Sequence, residues 1–151
     1  MAKAIALVSA VCILALASVA QSHPSNGFNV SGKVYCDPCR VQFEHQFSYH
    51  LPGATVRISC FNNLTETITY TAEGVTDKTG YYDLRVKGDH HNDLCEVRAT
   101  KSPKPECSVK MFHAERHYFK QSADNLVQDL KPLGFMTKGV LPGCSIVEKM
   151  G

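Results

Sequence analysis

The sequence predicts a single all-β domain, an antiparallel sandwich or barrel of about seven strands, exported from the cell and stapled by disulfides. Three observations predict it. Apolar and polar residues alternate with period two in one segment after another, turn residues punctuate those segments, and an even set of cysteines follows an apolar leader. The 151 residues allow one domain of ordinary size. Hydrophobic residues at 44% and charged residues at 20% match globular averages, which excludes wholesale disorder. A formal charge of +2 is too near balance for a polyanion binder, and no run of five like charges occurs. Nucleic acid is therefore not expected as a partner.

The first element is a targeting segment. Lys3 is the only charge before position 21, the run from Ala4 to Ala17 is almost wholly apolar, and Ser18-Val19-Ala20 supplies the small residues of a cleavage site. Residues 1–20 read as a signal peptide and 21–151 as the β domain, destined for the extracellular space. The apolar run falls short of the roughly 20 residues that cross a bilayer, and no later segment is apolar enough, so no membrane span is expected. Removing the leader removes Cys12. The six cysteines that remain are Cys36, Cys39, Cys60, Cys95, Cys107 and Cys144, read as three disulfides.

The strands follow in order. Phe28, Val30, Gly32, Val34 and Cys36 share one face of the first segment; Ala54, Val56, Ile58 and Cys60 form the inward set of the second. Ile68, Tyr70 and Ala72 make a third, Tyr82, Leu84 and Val86 a fourth, Cys95, Val97 and Ala99 a fifth, and Cys107, Val109 and Met111 a sixth. Leu51-Pro52-Gly53, Asp77-Lys78-Thr79-Gly80, Lys87-Gly88-Asp89 and Ser102-Pro103-Lys104-Pro105 are the turns between them. Ser122 to Lys131 has the pattern of one short helix, capped by Ser122 or Asp124. Cys36, Cys60, Cys95 and Cys107 fall on the apolar side of their segments, so their sulfurs can meet in the core. Alternation does not say which pairs with which.

No motif supports catalysis. Cys36-Asp37-Pro38-Cys39 is a CxxC, but a zinc site needs a second ligand pair and none is evident nearby, and a thioredoxin-type site needs a βαβ unit that the alternating pattern denies. Two structural disulfides leaving one turn explain it better. His113 and His117 are four apart, yet Glu115 comes one position too late for a zincin. His45, His50, His90 and His91 are scattered among turn residues. No catalytic residue, cofactor or metal is expected. Two sequons, Asn29-Val30-Ser31 and Asn63-Leu64-Thr65, are candidate glycosylation sites, and the turn-like setting of Asn63 makes it the better acceptor.

Gly32-Lys33-Val34-Tyr35-Cys36-Asp37-Pro38-Cys39-Arg40 resembles the signature G-x-V-Y-C-D-T-C-R of the pollen proteins related to the major olive-pollen allergen, Ole e I, with Pro38 in place of Thr. The resemblance continues through Leu51 to Val56, Glu73 to Asp77, Gly80-Tyr81-Tyr82, Asp93-Leu94-Cys95, Lys101-Ser102-Pro103, Pro132 to Met136 and Gly143-Cys144. It implies the pairings Cys36–Cys107, Cys39–Cys144 and Cys60–Cys95, a prealbumin- or immunoglobulin-like sandwich, and no catalytic activity. It further implies a secreted plant glycoprotein, often an allergen, connected with pollen hydration, germination and tube growth.

The expected function is therefore non-enzymatic recognition of an extracellular protein or cell-wall polysaccharide by a monomer. A second reading is a secreted hydrolase inhibitor, with the segments Pro103 to Pro105 and Pro132 to Gly134 as candidate reactive loops.

Overall fold

The alternation between Phe28 and Cys36 becomes an eleven-residue strand, and the rest of the chain is arranged about it. The computed structural model describes residues 27–122 and 128–148; the expected leader lies outside them. In chain order the strands are β1 (Gly27–Asp37), β2 (Tyr49–His50), β3 (Thr55–Asn62), β4 (Ile68–Val75), β5 (Tyr81–Lys87), β6 (Asp93–Lys101), β7 (Val109–Lys110), β8 (Arg116–Phe119), β9 (Gln128–Asp129) and β10 (Leu133–Met136). A 3-10 turn covers Pro105–Cys107, and one short helix, α1, covers Ser145–Glu148. Seven of the described strands have four or more residues; β2, β7 and β9 are two-residue pairings.

The strands form two sheets. In one, β1 runs antiparallel to β5 from Gly27 opposite Lys87 to Lys33 opposite Tyr81, and antiparallel to β2 beyond that. β9 and β10 lie parallel to β1, and β7 closes the far edge antiparallel to β10. The other sheet is antiparallel throughout, in the order β4-β3-β6-β8. Their facing sides make the core of a β-sandwich, with Phe28, Val30, Val34, Val56, Ile58, Tyr82, Val86, Val97 and Leu133 almost free of solvent. Most of the inward sets read from the sequence lie in this core.

Three features depart from the sequence reading. Ile68, placed inward by alternation, is 64% exposed. Cys60 is registered with Tyr70 but Phe61 with Ile68, so Thr69 is the extra residue of a bulge, and a one-residue shift sends Ile68 to the other face. The segment from Cys107 to Met111 keeps its parity, yet only Val109–Lys110 is strand, because Cys107 closes the 3-10 turn. Of the helix expected over Ser122 to Lys131, residues 123–127 lie outside the described chain and Gln128–Asp129 pair with β1. The helix that is described stands instead at Ser145–Glu148.

Two glycines mark close approaches. A Cβ at Gly32 would lie 2.5 Å from the Tyr82 hydroxyl, and one at Gly134 would lie 2.8 Å from Cζ of Tyr35. Both rings are buried, and each occupies the space that its glycine leaves. Gly134→Ala should therefore destabilise the fold by about 1–3 kcal/mol through overpacking, measured as a fall in the urea midpoint at unchanged m-value.

The turn between β5 and β6 is held by a buried polar cluster. His90 Nδ1 lies 2.8 Å from Asp93 Oδ2 and its Nε2 lies 2.8 Å from the Lys87 carbonyl. The His90 backbone N–H donates to Gln121 Oε1 at 2.6 Å, and the bulge residue Thr69 donates its hydroxyl to Asp93 at 2.6 Å. The Thr69 hydrogen bond, with the one to His90, holds the Asp93 carboxyl below the usual carboxylate range against the opposing effect of burial. A depressed carboxylate pKa contributes stability that is complete above the unfolded value, near pH 4, and is lost as the pH falls through the folded value. Acid unfolding followed by circular dichroism should show this loss, and Thr69→Val should move the acid midpoint to higher pH.

Candidate functional site

The CxxC segment leaves the end of β1 and starts a loop that no helix or long strand supports. Its anchor is Asp37, whose side chain is fully buried. Asp37 Oδ1 accepts the backbone N–H of Cys39 at 2.9 Å and Oδ2 accepts that of Gln42 at 2.7 Å. This is the local carboxylate-to-backbone bonding that makes aspartate a turn former. His45 returns to the same carboxylate, with Nε2 at 2.7 Å from Oδ1. The Phe47 N–H donates to His45 Nδ1 at 3.2 Å, so both ring nitrogens are engaged. A buried carboxylate needs such partners, because one without them would cost several kcal/mol in desolvation.

The loop is wound tightly enough that two non-glycine residues, Arg40 (φ 58) and Gln42 (φ 65), adopt the left-handed region. Three contacts hold the loop, two of them made by these residues. Arg40 donates from Nη1 to the Thr137 carbonyl, the Phe112 N–H donates to Gln42 Oε1 at 3.0 Å, and the Leu141 N–H donates to the Pro38 carbonyl at 3.1 Å. Cys39 joins Cys144 beneath the loop, where both pack with Val41 and Val147. Cys36 joins Cys107 at the end of β1, and Cys60 joins Cys95 across the registered pair of β3 and β6.

This pole of the sandwich exposes apolar side chains. Phe43 and Phe47 are 43% and 40% exposed and flank the His45 ring, each with ring centroids 6.1 Å from it. Phe112, on the loop that meets Gln42, is 90% exposed, and Val140, Leu141 and Ile146 extend the apolar area beside Cys144. Phe43, Glu44, His45, Gln46 and Val147 line a recess of about 200 Å³. Exposed apolar side chains gathered on a restrained loop suit recognition of another surface.

The remaining candidate residues fall elsewhere. Asn63 is exposed in the turn after β3, where the Asn62 side chain accepts the N–H groups of Leu64 and Thr65. Asn29 is on β1, and its amide is engaged by Asp83 at 3.1 Å and Arg85 at 3.0 Å. His113 is exposed, while His117 lies 3.1 Å from the Pro132 carbonyl. Among the described residues, no three His, Cys, Asp or Glu side chains gather as metal ligands would. Of the two segments suited to an inhibitor, Pro132 to Gly134 is not a presented loop, because Leu133 and Gly134 are buried in β10. Pro103 and Pro105 are exposed.

Sequence reasoning missed the pairing of Asp37 with His45, since it weighs only the cysteines of the motif and places His45 among scattered turn residues. The available signal was an aspartate at a strand end two residues before a cysteine, the spacing of a side-chain-capped turn.

Comparison with known proteins places the chain among pollen proteins. The family model described as "Pollen protein Ole e 1 like" matches residues 26–150. Anther-specific protein LAT52 of Solanum lycopersicum is 49% identical over 148 residues, 95% of this chain and 91% of the relative. Pollen allergen Che a 1 of Chenopodium album is 43% identical over 153 residues, 95% of this chain and 89% of the relative. The crystal structure of the major plantain pollen allergen Pla l 1 superposes with a TM-score of 0.66 at 30% identity, over 78% of this chain and 99% of that one.

Replacing Asp37 by Ala removes three hydrogen-bond acceptor contacts and leaves the His45 ring without its partner. The expected loss is about 3–5 kcal/mol, from buried donors left without their charged acceptor. Chemical unfolding measures it, and faster amide exchange at Cys39 and Gln42 localises it to the loop.

Proposed function

The chain belongs to the pollen Ole e 1-like protein family, and from that membership we propose that it is a secreted, non-catalytic glycoprotein of pollen. It acts in hydration, germination or tube growth by recognising an extracellular partner. The observation that carries this reading is the loop from Pro38 to Ser48, which is fixed by a disulfide and a buried carboxylate and presents Phe43 and Phe47 at its surface. Aromatic side chains on a pre-ordered loop bury large area at small conformational cost, which is how interface anchors act. The printed names of the relatives, an anther-specific protein and pollen allergens, support the tissue. The signal peptide expected over residues 1–20 supports export. Asn63, exposed in its turn, is the residue proposed to carry the glycan, whereas Asn29 has its amide committed to Asp83 and Arg85.

The test is saturable binding of the mature protein to plasma-membrane proteins of pollen tubes. A double variant, Phe43→Ser with Phe47→Ser, should keep its circular dichroism spectrum and lose at least tenfold in affinity. Unchanged affinity in that variant would remove the loop as the recognition surface.

A further inference from the structure

A second surface lies on the outward face of the β4-β3-β6-β8 sheet, and its recesses share no lining residue with that of the aromatic loop. The register sets Glu73, Arg57, Arg98 and Arg116 abreast on four neighbouring strands. The next row carries Thr71, Ser59, Glu96 and Tyr118. Neighbouring strands lie about 4.8 Å apart, so three guanidinium groups are presented in a line at intervals of roughly one strand. Like charges directly opposite each other destabilise a sheet, so such a row needs counter-charges.

The chain supplies only some of them. Arg57 donates from Nε and Nη2 to Glu73 at 2.8 and 2.6 Å. Glu96 is shared, with Arg98 Nε at 3.0 Å and Arg116 Nη1 at 3.5 Å. Glu115 lies 4.0 Å from Arg98 and is nearer to Lys110, at 3.5 Å. Three arginines and a lysine thus meet three glutamates, and the arginine side chains remain 53%, 31% and 39% exposed. Four cations against three carboxylates leave the cluster one positive charge in excess.

The row lines a recess of about 350 Å³ together with Ser59 and Phe61. It shares Phe61 and Glu96 with a second recess of about 390 Å³, which adds Asn62, Asn63, Glu66, Leu94 and Tyr118 and so runs to the sequon turn. One end of the groove is therefore cationic. The other end is bounded by the Glu66 carboxylate and the Asn63 turn, so the ligand is seated on the arginine row, where Phe61 offers an apolar face to a sugar ring. Arginine forks match carboxylates in a planar, two-point geometry.

We propose that this face binds an acidic polysaccharide, an extended chain of uronate sugars lying across the strands with successive carboxylates on Arg57, Arg98 and Arg116. It is a site separate from the Phe43–Phe47 loop and does not depend on that loop's role. The probe is a decamer of galacturonate, titrated calorimetrically against the mature glycoprotein, with the fully methyl-esterified decamer and a single-stranded DNA decamer as comparators. Saturable binding of the free acid is expected, weakening as salt is raised, with the ester at least tenfold weaker. Arg98→Gln should lose at least tenfold at unchanged thermal unfolding, and Arg116→Gln reads the same site if Arg98→Gln fails to fold. Lys78→Gln and the Phe43→Ser, Phe47→Ser double variant should bind normally, which separates this site from the loop. No binding, equal binding of acid and ester, tighter binding of DNA, or full affinity in folded Arg98→Gln and Arg116→Gln would each overturn the assignment.

Discussion

The fold depends on satisfying the backbone of β1. The strand is buried along most of its length, so the amide groups on both edges must find partners within the protein. One edge is filled by β5 and then β2, and the other by β9 and then β10. The join between β5 and β2 falls at Val34, whose N–H donates to the Gly80 carbonyl and whose carbonyl accepts the Leu51 N–H, both at 2.9 Å. Gly80 sits there with φ +81, and a Cβ on it would lie 2.7 Å from the His50 Cβ, so only glycine lets both partners reach β1 without displacement. Asp77 completes the corner, accepting the N–H groups of Thr79 at 2.8 Å and Tyr81 at 3.1 Å.

The same economy appears at the loops. Two buried histidine–aspartate pairs, His45 with Asp37 and His90 with Asp93, hold turns at which the sheets offer no hydrogen bonds. In each, the carboxylate also takes a protein hydrogen bond close by in space: backbone N–H groups at Asp37, the Thr69 hydroxyl at Asp93. The disulfides reinforce rather than replace this bonding. Cys39–Cys144 ties the aromatic loop to the C-terminal segment, and Cys60–Cys95 lies inside a sheet that is already continuous. Rigidity reached this way favours recognition, since a loop ordered beforehand loses little entropy on binding.

The sequence made the long strands legible because one face of each is buried and the other meets solvent, which imposes period two. It hid β10 because Leu133, Gly134, Phe135 and Met136 are all buried, so no alternation marks the strand. The bulge at Thr69 was hidden as well, since register is a property of two strands and not of one. For the same reason the arginine row could not be read: Arg57, Arg98 and Arg116 are distant in the chain and meet only through pairing. In the loop, the cysteines of the CxxC motif were visible, but the value of Asp37 depended on where His45 came to rest.

The parallel placement of β10 beside β1 sets the order of events during folding. Val34 pairs with Leu133, far along the chain, so one edge of β1 waits for a distant partner before it is covered. Local hairpins such as β3 with β4 close over short loops, and Cys60–Cys95 spans 35 residues, whereas Cys39–Cys144 spans 105. Loop-closure entropy and the long-range pairing both make this a late step of folding. Until then β1 carries an open, apolar edge, the feature that invites pairing between chains, so folding yield is governed by how long that edge goes uncovered.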